Sequence, residues 1–108
     1  MDWQHRGEYI RRRSIRKNQP NAFDVEPEWA TEAALDPEGL VGDGGSDSGE
    51  TVKVVGYSAG AERLLTVLLL PKDHPPTGEW WGVNAWAASS TDARHYRERG
   101  ADREEAEE

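Results

Sequence analysis

The longest apolar run in this chain, LLTVLLL from Leu64 to Leu70, constrains its fold more than any other stretch. Seven residues with almost no polar alternation must be covered on both sides, as a central strand or a buried helix. The branched content and the closing Pro71 favour a strand over residues 63–71, RLLTVLLLP. The run is far shorter than the roughly 20 residues that a membrane span needs, so no membrane partner is expected.

On either side of this run the apolar period becomes two. TVKVVGYS sets Thr51, Lys53, Val55 and Tyr57 on one face, and Val52, Val54 and Gly56 on the other. WWGVNAWAA sets Trp81, Val83, Ala85 and Ala87 on an inward stripe, and Trp80, Asn84 and Trp86 on an outward one. Helical spacing marks EPEWATEAALD, with Pro27 in the first turn, Trp29, Ala30, Ala33 and Ala34 on one face, and Asp36-Pro37 as the stop. Ser89 is a good N-cap for a second helix from about Ser90 to Arg99, with Asp92 completing a capping-box pattern and Gly100 ending it. VGDGGSDSGE reads as a flexible turn, and NQPNAFD as a loop anchored by Phe23. The expected fold class is α+β: an antiparallel meander of three to four strands, with helices packed on one face.

A chain of 108 residues is one domain, too small for a large enzyme scaffold. Residues 1–17 are expected to be a basic, partly ordered segment, 18–100 the domain, and 101–108 an acidic tail. The formal charge of −8 argues against coating nucleic acid through the overall field. Its distribution is uneven. Residues 5–17 carry six Arg/Lys against one Glu, whereas residues 18–50 carry nine acids and no Arg or Lys. No cysteine is present, which removes disulfides, thiolate metal sites and cysteine nucleophiles together. No signal-like segment opens the chain, so a cytoplasmic location is expected.

Several motifs invite chemistry. GYSAG, residues 56–60, fits the Gly-x-Ser-x-Gly nucleophile elbow around Ser58, with Asp73 or Asp92 and then His74 or His95 in suitable chain order. That elbow depends on a parallel sheet in a chain about twice this long, and the bland alternative is a turn between two strands. His5, His74 and His95 lack helical pairing, and DGGSDSGE lacks the last acid of a calcium loop, so neither metal nor cofactor is expected. The constellation that remains is basic and aromatic. Lys53 lies on one strand, Asn84 and Trp86 on another, and Arg94, His95 and Arg97 on the following helix. Indoles stack on bases, and cations pair with phosphates. General acid–base cleavage of RNA needs little more than a proton-transfer group beside cations. The alternative for the tryptophans is core packing.

The residues Val83–Tyr96, VNAWAASSTDARHY, resemble in spacing the C-terminal signature of BrnT-type ribonuclease toxins of bacterial toxin–antitoxin pairs. There a strand ending Ile-Ser-Ala-Arg is followed by a small residue and Thr, then by a helix bearing Glu-Arg and a Tyr. Val83, Ala85, Ala88, Ser89, Asp92 and Tyr96 match in kind. Upstream, Glu50 and VGYS resemble the family's Glu-Arg…Ile-Gly-x-Ser strand, and RLLTV its next strand. Ala30 with Asp36-Pro37 resembles its first helix and stop, and Arg16, Lys17 and Asn18 its N-terminal Lys/Asn segment. The chain departs at Thr51, Asn84, Trp86 and Ala93, where the family has Arg, Ser, Arg and Arg. The resemblance implies a RelE-like fold, metal-independent mRNA cleavage, and neutralisation in a heterocomplex with a small antitoxin of ribbon-helix-helix type. On that footing Lys53, Arg94, Arg97 and His95 are the expected catalytic residues, with His95 as acid or base. Arg16, Lys17, Asn84 and Trp86 are the expected RNA contacts. Two alternatives stand beside this reading: a degenerate interaction module that binds an antitoxin-like partner, and a small serine hydrolase using Ser58.

Overall fold

In the computed structural model, Arg63–Pro71 is an inner strand with Leu65, Thr66 and Val67 buried in succession, so both of its faces are covered. The structure describes residues 1–12, 23–45, 51–73 and 78–107, with side chains of the last stretch to Glu98. These form α1 (Gly7–Arg11), α2 (Pro27–Ala34), β1 (Leu40–Asp43), β2 (Val52–Ser58), β3 (Arg63–Pro71), β4 (Trp80–Ala87) and α3 (Ser90–Glu107). The four strands pair antiparallel in the order β1-β2-β3-β4, the expected α+β meander. None of the described helices is long and apolar enough to cross a membrane.

Directly paired residues share a sheet face, so the register sorts the side chains. Val54, Leu65, Val67, Leu69 and Ala85 form one face and meet Ala30 and Ala33 of α2, Ile10 of α1 and Val25. Burial of an aliphatic side chain such as Leu65 is worth about 1.5–3 kcal/mol. The helix backbone comes very close at Gly56, where an added Cβ would overlap the Ala33 carbonyl. The other face carries Lys53, Val55, Thr66, Asn84 and Trp86, and α3 lies against its β1–β2 half. Of the described helices, α1 and α2 therefore share the face with the aliphatic core, and α3 lies on the opposite one.

Four local features differ from expectation. Leu40–Asp43 is a strand rather than part of a turn; it is short, largely exposed and has no apolar alternation, and its pairing with β2 makes it. Residues 46–50 lie outside the described residues. Helix α3 continues through Gly100 to Glu107, because one glycine costs a helix only about 1 kcal/mol. Residues 1–12 of the basic segment pack on the domain, and the Ile10 carbonyl accepts the Val25 N–H at 3.1 Å.

The fourth difference reverses two tryptophans. The register passes from Leu68↔Asn84 to Leu69↔Gly82, so Val83 is the extra residue of a β-bulge. Side-chain parity flips there. Ala85 stays inward, but Trp80 joins the core and Trp81 turns to the other face. On that face Lys72 lies 4.1 Å from the Trp81 ring centre, and the His5 ring 5.1 Å away. The N-terminal residues hold the bulge. Arg6 Nε donates to the Val83 carbonyl at 3.0 Å, the Asp2 N–H donates to Trp80 O, and the Gly82 N–H donates to Asp2 O. Trp3 lies over Gly82, where a Cβ would overlap its ring.

Glycine substitutions separate these close approaches from open positions. Gly56→Ala is expected to lower the unfolding free energy by about 3 kcal/mol, at the upper end of overpacking costs. Gly42→Ala has no neighbour within 4 Å and is expected to be neutral or mildly stabilising. Urea denaturation of the two variants beside the parent chain checks both.

Candidate functional site

The polar face of the sheet is organised by one carboxylate. Ser89 caps α3, its Oγ accepting the Asp92 N–H at 3.1 Å, and this fixes Asp92 at the third helical position. A full capping box would turn the Asp92 carboxylate back to Ser89. Instead it points into the sheet. One oxygen accepts from Lys53 Nζ of β2 at 2.9 Å, and the other from Thr66 Oγ1 of β3 at 2.9 Å. Thr66 is fully buried, so its hydroxyl requires such a partner. Burial pushes the Asp92 carboxyl up, but hydrogen bonds from Lys53 and Thr66, with the charges of Lys53 and His95, bring it below its ordinary value.

A second carboxylate joins α2 to α3. Asp36 Oδ2 accepts the Tyr96 hydroxyl at 2.6 Å and the Tyr57 N–H at 2.8 Å. Burial raises the Asp36 carboxyl, while Tyr96, the Tyr57 N–H and the Glu38 N–H lower it further, for a net fall. The same contact acts on the phenol in reverse. Burial, then the hydrogen bond to Asp36, push Tyr96 from 10.0 to about 12.

Around these anchors the expected site residues separate. Lys53 and His95 line one cavity of about 270 Å³ together with Asp92, Val55 and residues of β1. Arg97 lines a different cleft, about 550 Å³, with Tyr57, Leu64, Ala88, Ala93 and Tyr96. Arg94 is exposed and pairs with Glu98 at 3.7 Å. The two α3 arginines and His95 therefore do not converge on one point. Asn84 turns its carboxamide oxygen to the neighbouring Ala85 N–H at 2.9 Å, and Trp86 is half-buried opposite Thr66. Arg16 and Lys17 lie outside the described residues. No group of three or more metal-ligating side chains occurs among the described residues.

Ser58 sits at the end of β2 in an antiparallel hairpin, not in a strand–helix elbow. It is fully buried, donates to Glu32 Oε1 at 2.9 Å and accepts the Ala61 N–H at 3.1 Å. Glu32 also accepts the Gly60 N–H, so the pair ties the hairpin turn to α2. The turn needs Glu62 at φ 56°, a left-handed conformation that non-glycine residues seldom adopt.

Comparisons with family models, curated proteins and solved structures return no match to this chain. The site's partners are therefore read from its own geometry. The sequence marks Asp92 as a capping residue, a family match and a candidate acid for Ser58, but its sheet contacts depend on how α3 crosses the strands. Thr66 carried a signal, as a lone hydroxyl inside the longest apolar run.

Two pH and mutational outcomes follow. Because the folded Tyr96 keeps its proton to about pH 12, its contribution to stability is complete below pH 10.0 and lost as pH rises toward 12. Tyr96→Phe is expected to be less stable than the parent at pH 8, with the gap closing between those limits in denaturant titrations. Ser58→Ala leaves Glu32 and the Ala61 N–H without their partner and should cost about 1–3 kcal/mol in the same measurement.

Proposed function

We propose that this chain is a protein-interaction module on a toxin-like α+β scaffold, and that it binds a small, basic, antitoxin-like partner. The observation that carries the reading is the Lys53–Asp92 pair at 2.9 Å, with Asp92 further held by buried Thr66. A phosphate approaching Lys53 must displace a carboxylate already bonded to two strands. Arg94 is likewise matched by Glu98. The formal charge of −8 opposes RNA and attracts a partner with the basic surface that DNA binding demands.

Purified chain mixed with a labelled single-stranded RNA at physiological salt is expected to leave the RNA intact, and induced expression to leave bacterial growth unchanged. RNA cleavage that disappears in both Lys53→Ala and His95→Ala would overturn the reading.

A second reading is BrnT-type mRNA cleavage in a cytoplasmic toxin–antitoxin pair. One observation favours it: Lys53, Asp92 and His95 line one cavity, so a proton-transfer group stands beside a cation. Under that reading His95→Ala lowers cleavage by about 10²–10⁴-fold with the fold unchanged, as circular dichroism would verify.

A further inference from the structure

The two edges of the sheet are treated differently. The first half of the β4 edge is closed by Asp2, which bonds Trp80 and Gly82, and by the Arg6 guanidinium on the Val83 carbonyl; further along, the Asn84 carboxamide takes the Ala85 N–H. At the other side, β2 beyond β1 is closed by Asp36, which accepts the Tyr57 N–H. That leaves β1. The Gly44 N–H bonds to Thr51 O, and strand alternation then turns Leu40 and Gly42 toward β2 and the N–H and C=O groups of Val41 and Asp43 outward. Among the described residues nothing pairs with these outward main-chain groups.

Apolar surface collects on the same side. Of the exposed large hydrophobics among the described residues, all but Met1 belong to this flank: Leu35 at 69%, Val41 at 62% and Tyr57 at 46%. Leu35 and Tyr57 line a shared depression with Asp36, and Val41 pairs with Val54 three residues back from Tyr57. Below the edge, toward α3, opens the cavity lined by Leu40, Gly42, Val55 and His95. Gly42 contributes no side chain to fill it.

Acids dominate the charge of this region, and Lys53, which lines the cavity, is already paired with Asp92 at 2.9 Å. Residues 18–50, which contain α2 and β1, hold nine acids and no Arg or Lys. A second copy of the chain would bring the same acids against them, and like charges across a strand pair are destabilising.

We infer that the β1 edge docks an extended, basic segment of a partner protein, which adds a fifth strand through main-chain bonds to Val41 and Asp43. The inference rests on the interaction reading above and names its surface. Main-chain pairing supplies affinity, and alternate side chains supply specificity. One set of the partner's side chains meets Val41, and the other enters the cavity beside His95.

The test uses a fluorescent ten-residue peptide of alternating Lys and Val as probe. Its binding is followed by anisotropy, and the amide exchange of Val41 and Asp43 by NMR. The expected result is saturable binding with slowed exchange at those two amides. Methylating alternate peptide nitrogens should weaken it at least tenfold, because charge is retained while pairing is blocked. Val41→Pro should weaken it as much, since it removes an outward N–H that the β1–β2 ladder does not use. If that variant fails to fold, the methylated peptide and the amide exchange decide. Equal binding of the methylated peptide, or protection centred on Trp81 and Trp86 instead, would overturn the edge but leave the interaction reading standing. Absence of peptide binding also overturns the edge, as does a concentration-dependent dimer of the chain that Val41→Pro abolishes. RNA cleavage by the parent chain would remove the reading beneath it.

Discussion

The Asp92 carboxylate is the contact on which the polar half of the molecule depends. It sits in the first turn of α3, where the positive end of the helix favours an anion, and reaches one cation and one hydroxyl on adjacent strands. Apolar burial alone is non-directional and would let a polar helix slide over the sheet. Two charge-assisted hydrogen bonds at 2.9 Å fix its position along both strands. The Tyr96–Asp36 bond, one turn further along, sets the angle. Together they place His95 over the β1 cavity, Arg97 over the neighbouring cleft and Arg94 in solvent.

The same geometry explains why residues that look like a catalytic set are divided. Arg94, His95 and Arg97 are neighbours in sequence, but helical residues one apart point about a quarter-turn away from each other. Lys53 reaches the helix by serving Asp92, so its charge is compensated inside the domain. What remains outward-facing includes main chain at the β1 edge, partly exposed apolar side chains near it, and the exposed Arg97.

Much of the fold was legible because it rests on local periodicity. The unbroken apolar run became the inner strand, Pro27 and Asp36-Pro37 bounded α2, and Ser89 began α3. The departures share a cause: each depends on a partner distant in the chain. Leu40–Asp43 is a strand because β2 lies beside it, and residues 1–12 are ordered by β4 and α2. The reversal of Trp80 and Trp81 arises from a single extra residue, Val83, whose bulge is held by Arg6 from 77 positions away. Period-two counting has no means of detecting an insertion that only a neighbouring strand defines. For the site, the residue types were legible and their pairing was not. Lys53 and Asp92 were each noticed, but as a cation for RNA and a helix cap rather than as partners.

The cover over the first half of the β4 edge has a consequence for assembly. A sheet with two open margins can grow without limit, each copy offering a fresh template to the next. Here Asp2 and Arg6 occupy the Trp80–Val83 part of one margin, so copies of this chain are hindered from stacking edge to edge without end. The short N-terminal stretch thus works against lateral polymerisation of a strand-rich domain.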